Sequence, residues 1–137
     1  MSFDPIRDYP LGTQRPDLVS TPGGLPLVDV TLDALRTGRI GAGEIRATPE
    51  TLRMQAQVAL AAERRQLAEN LERAAELAAV PDDLLLAVYT ALRPRRATAA
   101  ELEEWASRLE GFGATKTAQF VREAAAAYED RGLLAHA

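Results

Sequence analysis

The sequence predicts an all-α protein: a small helical domain of about four to five helices preceded by an extended Pro/Gly-rich N-terminal arm. Three observations carry that expectation. From residue 48 onward the chain is punctuated by helix start and stop signals. Between those signals, apolar residues recur at three- and four-residue spacing. No run alternates convincingly enough for a strand, and no internal repeat is visible. Apolar residues make up 47% of the chain and aromatics only 5%. Alanine, which favours helix and buries little area, supplies much of the apolar content. Such a domain gains less from its own core than a leucine-rich one and hints at help from a partner surface.

The expected division is an arm over 1–47 and a helical domain over 48–137. Pro5, Pro10, Pro16, Pro22, Gly23, Gly24 and Pro26 recur through the arm, with Gly38, Gly41 and Gly43 beyond them. They break long helices and central strands. Only 31–37 looks helical, with Thr31 as N-cap and Gly38 as stop. The rest is expected as extended chain and turns. Its apolar residues (Tyr9, Leu11, Leu18, Val19, Leu25, Leu27, Val28, Val30) suit a segment lying on a surface.

Thr48-Pro49-Glu50 places an N-cap, a first-position proline and a first-turn acid at a helix start. The helical pattern then runs to about Val80, with a break or kink expected near Glu63 to Gln66. Its inner face is expected to carry Leu60, Leu67, Leu71, Ala74 and Ala78. Pro81 ends that stretch, and Asp82 is expected to cap a short helix with Leu85, Val88, Tyr89 and Leu92 inward. Pro94 terminates it. Thr98 and Glu101 form a capping box for a helix burying Leu102, Trp105, Ala106 and Leu109. Gly111 and Gly113 close this helix. The last helix runs from about Thr115 to Arg131, with Ala118, Val121, Ala125 and Tyr128 inward and Gly132 as stop.

Composition excludes several function classes. Sixteen basic and twenty acidic residues give a net charge of −4, which argues against nucleic acid. Without cysteine there is neither a disulfide nor a thiolate metal site. Met1 to Pro10 has no apolar h-region, and no stretch approaches a membrane span, so a soluble protein is expected; a reducing cytoplasm fits the lack of cysteine without following from it. Every basic residue but Lys116 is arginine, the better residue for bidentate pairing.

No catalytic set emerges. His136, the only histidine, stands beside the C-terminus, where chains fray. Asp82 and Asp83 are adjacent at a helix start and do not converge on a point; dipole pairing and capping explain them. Glu101, Glu103 and Glu104 read the same way. Glu69, Glu72 and Glu76 share a solvated face with Arg73. Gly23-Gly24 is a turn, lacking the flanking pattern of a phosphate loop. Arg64-Arg65 and Arg93 to Arg96 are short basic patches suited to partner contact or solvent. Trp105 and Tyr89 are expected in the core by spacing. No catalytic, cofactor-binding or metal residue is therefore expected.

The order of segments carries more than any single residue. Tyr9-Pro10-Leu11 is followed by Arg15-Pro16-Asp17-Leu18-Val19, Thr21-Pro22-Gly23-Gly24 and Leu27-Val28-Asp29-Val30-Thr31-Leu32. Glu50-Thr51-Leu52-Arg53-Met54-Gln55-Ala56-Gln57 comes next, then Arg73-Ala74-Ala75-Glu76-Leu77, Val80-Pro81-Asp82-Asp83 and Ala87-Val88-Tyr89-Thr90-Ala91-Leu92-Arg93-Pro94. Phe120-Val121-Arg122-Glu123-Ala124 closes the series. In this order the segments resemble the small subunit of the adenosylcobalamin-dependent diol and glycerol dehydratases, from about Tyr9 to about Arg131.

The resemblance implies a bacterial hydro-lyase of three components, two copies of each, converting 1,2-diols or glycerol to aldehydes. The large subunit would hold the active site in a (β/α)₈ barrel, and adenosylcobalamin would lie between the large and medium subunits, starting the radical chemistry by homolysis of its cobalt–carbon bond. The small subunit would pack directly on the large one, bind no cofactor and supply no catalytic residue. Some propanediol-type members carry a longer N-terminal extension linked to protein-shelled microcompartments. Only Met1 to Asp8 precede the matching region here, so packaging through that segment is not expected. The alternative is a free-standing helical adaptor without an enzymatic partner. The arm separates the two: ordering it costs roughly 1–2 kcal/mol per residue in backbone entropy, which a subunit recovers by laying it on its partner. The arm is accordingly expected to be loosely docked in the isolated chain and protected on assembly.

Overall fold

The computed structural model describes residues 2–137; Met1, the first residue of the expected arm, lies outside them. The described chain is helical and holds no strand, only an isolated bridge between Ser20 and Pro26. It forms two compact units, Met1–Ala78 and Ala79–Ala137. The residues expected as a separate arm therefore share a unit with the first long helices.

The arm is more helical than its prolines and glycines suggest. After a cis Tyr9-Pro10 bond come α1, Leu11–Gln14, and α2, Leu32–Arg36. Single 3-10 turns lie at Pro16–Leu18, Leu27–Asp29 and Ala42–Glu44. Proline is compatible with the first turn of a helix, where its missing N–H has no partner to lose; Pro16 stands there. Thr31 caps α2 by accepting from the Ala34 N–H, and Gly38 follows with positive φ. The Glu44 carboxylate accepts from the Thr21 hydroxyl and the Gly23 N–H, pinning the 21–24 turn. Leu11, Ala34 and Ile40 are buried, whereas Tyr9 and Val28 are exposed. The arm thus contributes core as well as surface.

The rest of the first unit is a helical hairpin of α3, Pro49–Ala61, and α4, Arg65–Leu77, packed along each other. Thr48 caps α3 by accepting from the Thr51 N–H. The expected break falls at Ala62–Arg64. There Glu63 adopts φ 59° and the Arg64 N–H donates to the Ala59 carbonyl at 2.8 Å, which closes α3. The buried face differs from the expected one. Ala56, Ala59, Ala68 and Ala75 are buried, while Leu60 is 58% and Leu67 43% exposed. Small side chains at the seam let two helices approach closely, and that turns the leucines outward.

In the second unit α5 spans Asp82–Ala91, α6 Ala99–Gly111 and α7 Thr115–Arg131. Pro81, not Asp82, occupies the N-cap position of α5; Asp82 and Asp83 are its first residues, where their charges favour the helix dipole. Val88 is buried and Leu85 and Leu92 half-buried, but Tyr89 is exposed. The Thr98–Glu101 capping box is complete. Leu102, Ala106, Leu109, Ala118 and Val121 make the core. Trp105, Ala125 and Tyr128 lie at its half-buried margin. The Tyr128 hydroxyl donates to the Leu92 carbonyl, which gives its polar end a partner. Gly132, at φ 66°, ends α7, with the Leu133 N–H donating to the Tyr128 carbonyl at 2.8 Å.

The two units also share a supersecondary repeat that residue identities conceal. Thr48 and Thr98 cap helices of 13 residues each. At the same interval, Glu63 and Gly113 take positive φ in the three-residue links. Ala56 corresponds to Ala106, Ala59 to Leu109 and Ala68 to Ala118, all buried. What recurs is a pattern of caps, links and buried positions, which different side chains satisfy.

Candidate functional site

The residues that could carry chemistry are kept apart by the fold. Asp82 and Asp83 open α5 in solvent, Glu101 is engaged in its capping box, and His136 is exposed. Glu69 is exposed, and Glu72, Arg73 and Glu76 are half-buried along α4. Arg93 to Arg96 form the exposed link after α5, where Arg95 takes φ 62° and its N–H donates to the Leu133 carbonyl at 2.7 Å. Among the described residues no group of His, Asp and Glu could hold a metal ion. None of their buried side-chain polar atoms lacks a hydrogen-bond partner.

Among the ionic contacts of the described residues, two clusters tie chain segments together. Asp8, 4% exposed, accepts from Arg7 Nε at 2.9 Å, from the Asp4 N–H at 2.9 Å and from Arg15 at 3.1 Å. The Arg7 guanidinium, the Asp4 N–H and then the charge of Arg15 hold its carboxyl down at about 2. Arg15 also grips Asp17. In the second unit Arg122 of α7 reaches Glu103 at 2.7 Å and Glu110 at 2.6 Å, both on α6. Bonding to Arg122 lowers the pKa of each carboxyl, and the two carboxylates raise that of Arg122. A fork held by two carboxylates is a brace between helices; its donors are already used. Sequence reasoning missed both clusters, because their partners meet through turns and across helices.

Among the described residues are two open grooves that bear on function. One, of about 640 Å³, lies in the second unit between Leu86 and Thr90 of α5 and Trp105 and Arg108 of α6. The Arg108 guanidinium sits 4.6 Å from the Trp105 ring centroid, a cation–π contact. Arg96, Glu101 and Glu104 also line this groove, so it is strongly charged. The other, of about 530 Å³, lies in the first unit between the Pro5 to Tyr9 segment and the α3–α4 hairpin. Only Arg64 is charged among its lining residues. Ile6 beside it is 78% exposed and Tyr9 57%. An exposed apolar patch of this kind marks a surface for another molecule more readily than a reaction centre.

Comparison with known proteins agrees in kind. A family model described as the dehydratase small subunit matches residues 5–135. The propanediol dehydratase small subunit of Citrobacter freundii is 49% identical over 127 residues, covering 92% of this chain and 74% of that protein. The corresponding subunit of Salmonella typhimurium is 48% identical over 127 residues, with 92% and 73% covered.

Proposed function

This chain belongs to the dehydratase small subunit family, and from that premise we propose that it is the non-catalytic small subunit of an adenosylcobalamin-dependent diol or glycerol dehydratase. The observation that carries the reading is the match over residues 5–135, together with two propanediol dehydratase small subunits near half identity. In this reading the holoenzyme eliminates water from a 1,2-diol or glycerol to give an aldehyde. The chain packs directly on the large, catalytic subunit and stabilises it, with the medium subunit in the same assembly and two copies of each. Membership as a subunit implies partners, which argues against a free-standing adaptor.

The residues of this chain do not fit adenosylcobalamin. Its only imidazole, His136, is exposed, and no described buried polar side chain is left waiting for a ligand. In this reading the cofactor is held by the large and medium subunits, and no step of the reaction runs through this chain. Its own work is architectural. The Asp8 and Arg122 clusters and the helix caps tie neighbouring segments together within each unit. No described helix is long and apolar enough to cross a membrane, and the net charge of −4 disfavours nucleic acid.

The test is co-expression with the large and medium subunits of a diol dehydratase. The chain should co-purify with them, and omitting it should reduce the yield of active, adenosylcobalamin-dependent aldehyde formation. A chain that never associates with those subunits overturns the reading.

A further inference from the structure

The link between α5 and α6 is gripped by the end of α7 and the segment beyond it. Gly132, at φ 66°, turns the chain off α7. The Leu133 carbonyl then accepts from the Arg95 N–H at 2.7 Å, and the Ala135 N–H donates to the Ala97 carbonyl at 2.9 Å. The Tyr128 hydroxyl donates to the Leu92 carbonyl. These bonds join residues 92–97 to residues 128–135, all within the second unit. Leu133, Leu134 and Ala135 are half-buried, whereas His136 and Ala137 are exposed, so burial ends where the bonding ends.

The link has need of that grip. Arg93 to Arg96 close a turn, with the Arg96 N–H donating to the Arg93 carbonyl at 3.2 Å. Arg95 takes φ 62° in the third place of this turn, after Pro94, where glycine is the favoured residue. A side chain persists in such a conformation when its surroundings over-determine it. Arg93, Pro94, Arg95 and Arg96 are all exposed, so their side chains do not lock the turn by packing, and the bond to Leu133 is what holds Arg95. The position of α5 depends on the same link. A groove of about 640 Å³ separates Leu86 and Thr90 of α5 from Trp105 and Arg108 of α6, and Val88 is the buried residue of α5. One buried side chain leaves a helix free to tilt, so the bonds at its end fix its angle.

We propose that residues 133–135 are a strap that sets the angle of α5 on the α6–α7 hairpin. Closed, the strap holds Arg95 in its left-handed turn and keeps α5 in place. Open, the turn relaxes and α5 swings about residues 92–97. Opening breaks two backbone bonds and leaves the hairpin core intact, so it is a local event that lies well below global unfolding. Leu86 and Tyr89, 69% and 59% exposed, ride on α5. The strap therefore decides how that apolar surface is presented.

The full chain carries its own reporter, since Trp105, its one tryptophan, lines the groove that Leu86 and Thr90 of α5 also line. Ala135→Pro removes the N–H that bonds Ala97. A chain ended after Leu134 removes the same donor without proline's restraint on the preceding residue. In both variants the Arg95 amide should exchange about fivefold or more faster than in the parent, the weight of one lost hydrogen bond. Trp105 should become more open to acrylamide quenching, while amides in the middle of α6 and α7 keep the parent's exchange. Ala137→Pro, beyond both bonds, should leave every readout at the parent's value. Arg95→Gly relieves the turn yet keeps its N–H, so in that background Ala135→Pro should change the quenching of Trp105 less than it does alone. Arg95 and Ala135 amides that exchange in the parent as fast as those of His136 and Ala137 would overturn the proposal, because the strap would already be open. Unchanged Arg95 exchange and Trp105 quenching in the two variants would overturn it as well. So would exchange that quickens equally throughout α6 and α7, which marks loss of the whole unit in place of a hinge.

Discussion

Leu102→Ala should destabilise the second unit by about 3 kcal/mol, and Leu60→Ala should cost about 1 kcal/mol or less. Both are leucines in 13-residue helices of a hairpin, but Leu102 is 1% exposed and Leu60 58%. Truncation to alanine removes three carbons. At about 0.8 kcal/mol per buried carbon, Leu102 loses about 2.4 kcal/mol in transfer energy alone. A residual cavity adds to this, because α6 is held by its capping box at one end and by the Arg122 brace along its length, so the site cannot fully collapse. Leu60 leaves no cavity and already keeps more than half its surface in water. Urea unfolding followed at the helix circular dichroism band measures both, provided the slope with denaturant is unchanged. Leu102→Ala should lower the melting temperature by roughly 10 °C. A loss below about 1 kcal/mol at Leu102, or equal losses at the two positions, would refute the assignment of buried faces.

Gly132→Ala should cost about 1–2 kcal/mol, since φ 66° is a left-handed conformation that a Cβ resists; thermal melts of the variant check it. The Asp8 carboxyl is held at about 2 against an ordinary 3.8, so its stabilisation is fully present above about pH 4. It should fade as pH falls through about 2, and Asp8→Asn should abolish that part of the acid limb; a carboxyl-carbon titration of Asp8 that shows no depression refutes it. The isolated chain should leave the absorption spectrum of adenosylcobalamin unchanged on titration and form no aldehyde from a 1,2-diol; a spectral shift would place cofactor contacts on this chain. In hydrogen exchange, amides between Tyr9 and Val30 should slow on assembly with the large subunit; if they already match α3 to α7 in the isolated chain, the first unit is complete without its partner.

The sequence by itself determined where α3 and α6 begin and where α7 ends. Thr48 with Pro49, Thr98 with Glu101, and Gly132 act through hydrogen bonds and dihedral preferences that span only a few residues, and each stands at the boundary it signals. The order of short segments likewise carried the family, because subunit identity is spread over the whole chain and needs no single catalytic residue. Spacing also picked the buried Leu102, Ala106, Leu109, Ala118 and Val121 of the second unit, but in the first hairpin tertiary structure alone decided which face is buried. Leu60 and Leu67 obey helical spacing, as do Ala56 and Ala59, and only the close approach of α3 to α4 selects the alanines. It also decided that Glu63 would take a left-handed turn without being glycine, and that a segment rich in proline would coil into helical turns around Leu11 and Ile40. Asp8 with Arg15, and Arg122 with Glu103 and Glu110, are pairings between separated stretches of chain. Local patterns report bonds a residue makes with its sequence neighbours; burial and ion pairing depend on partners that only the folded chain brings near.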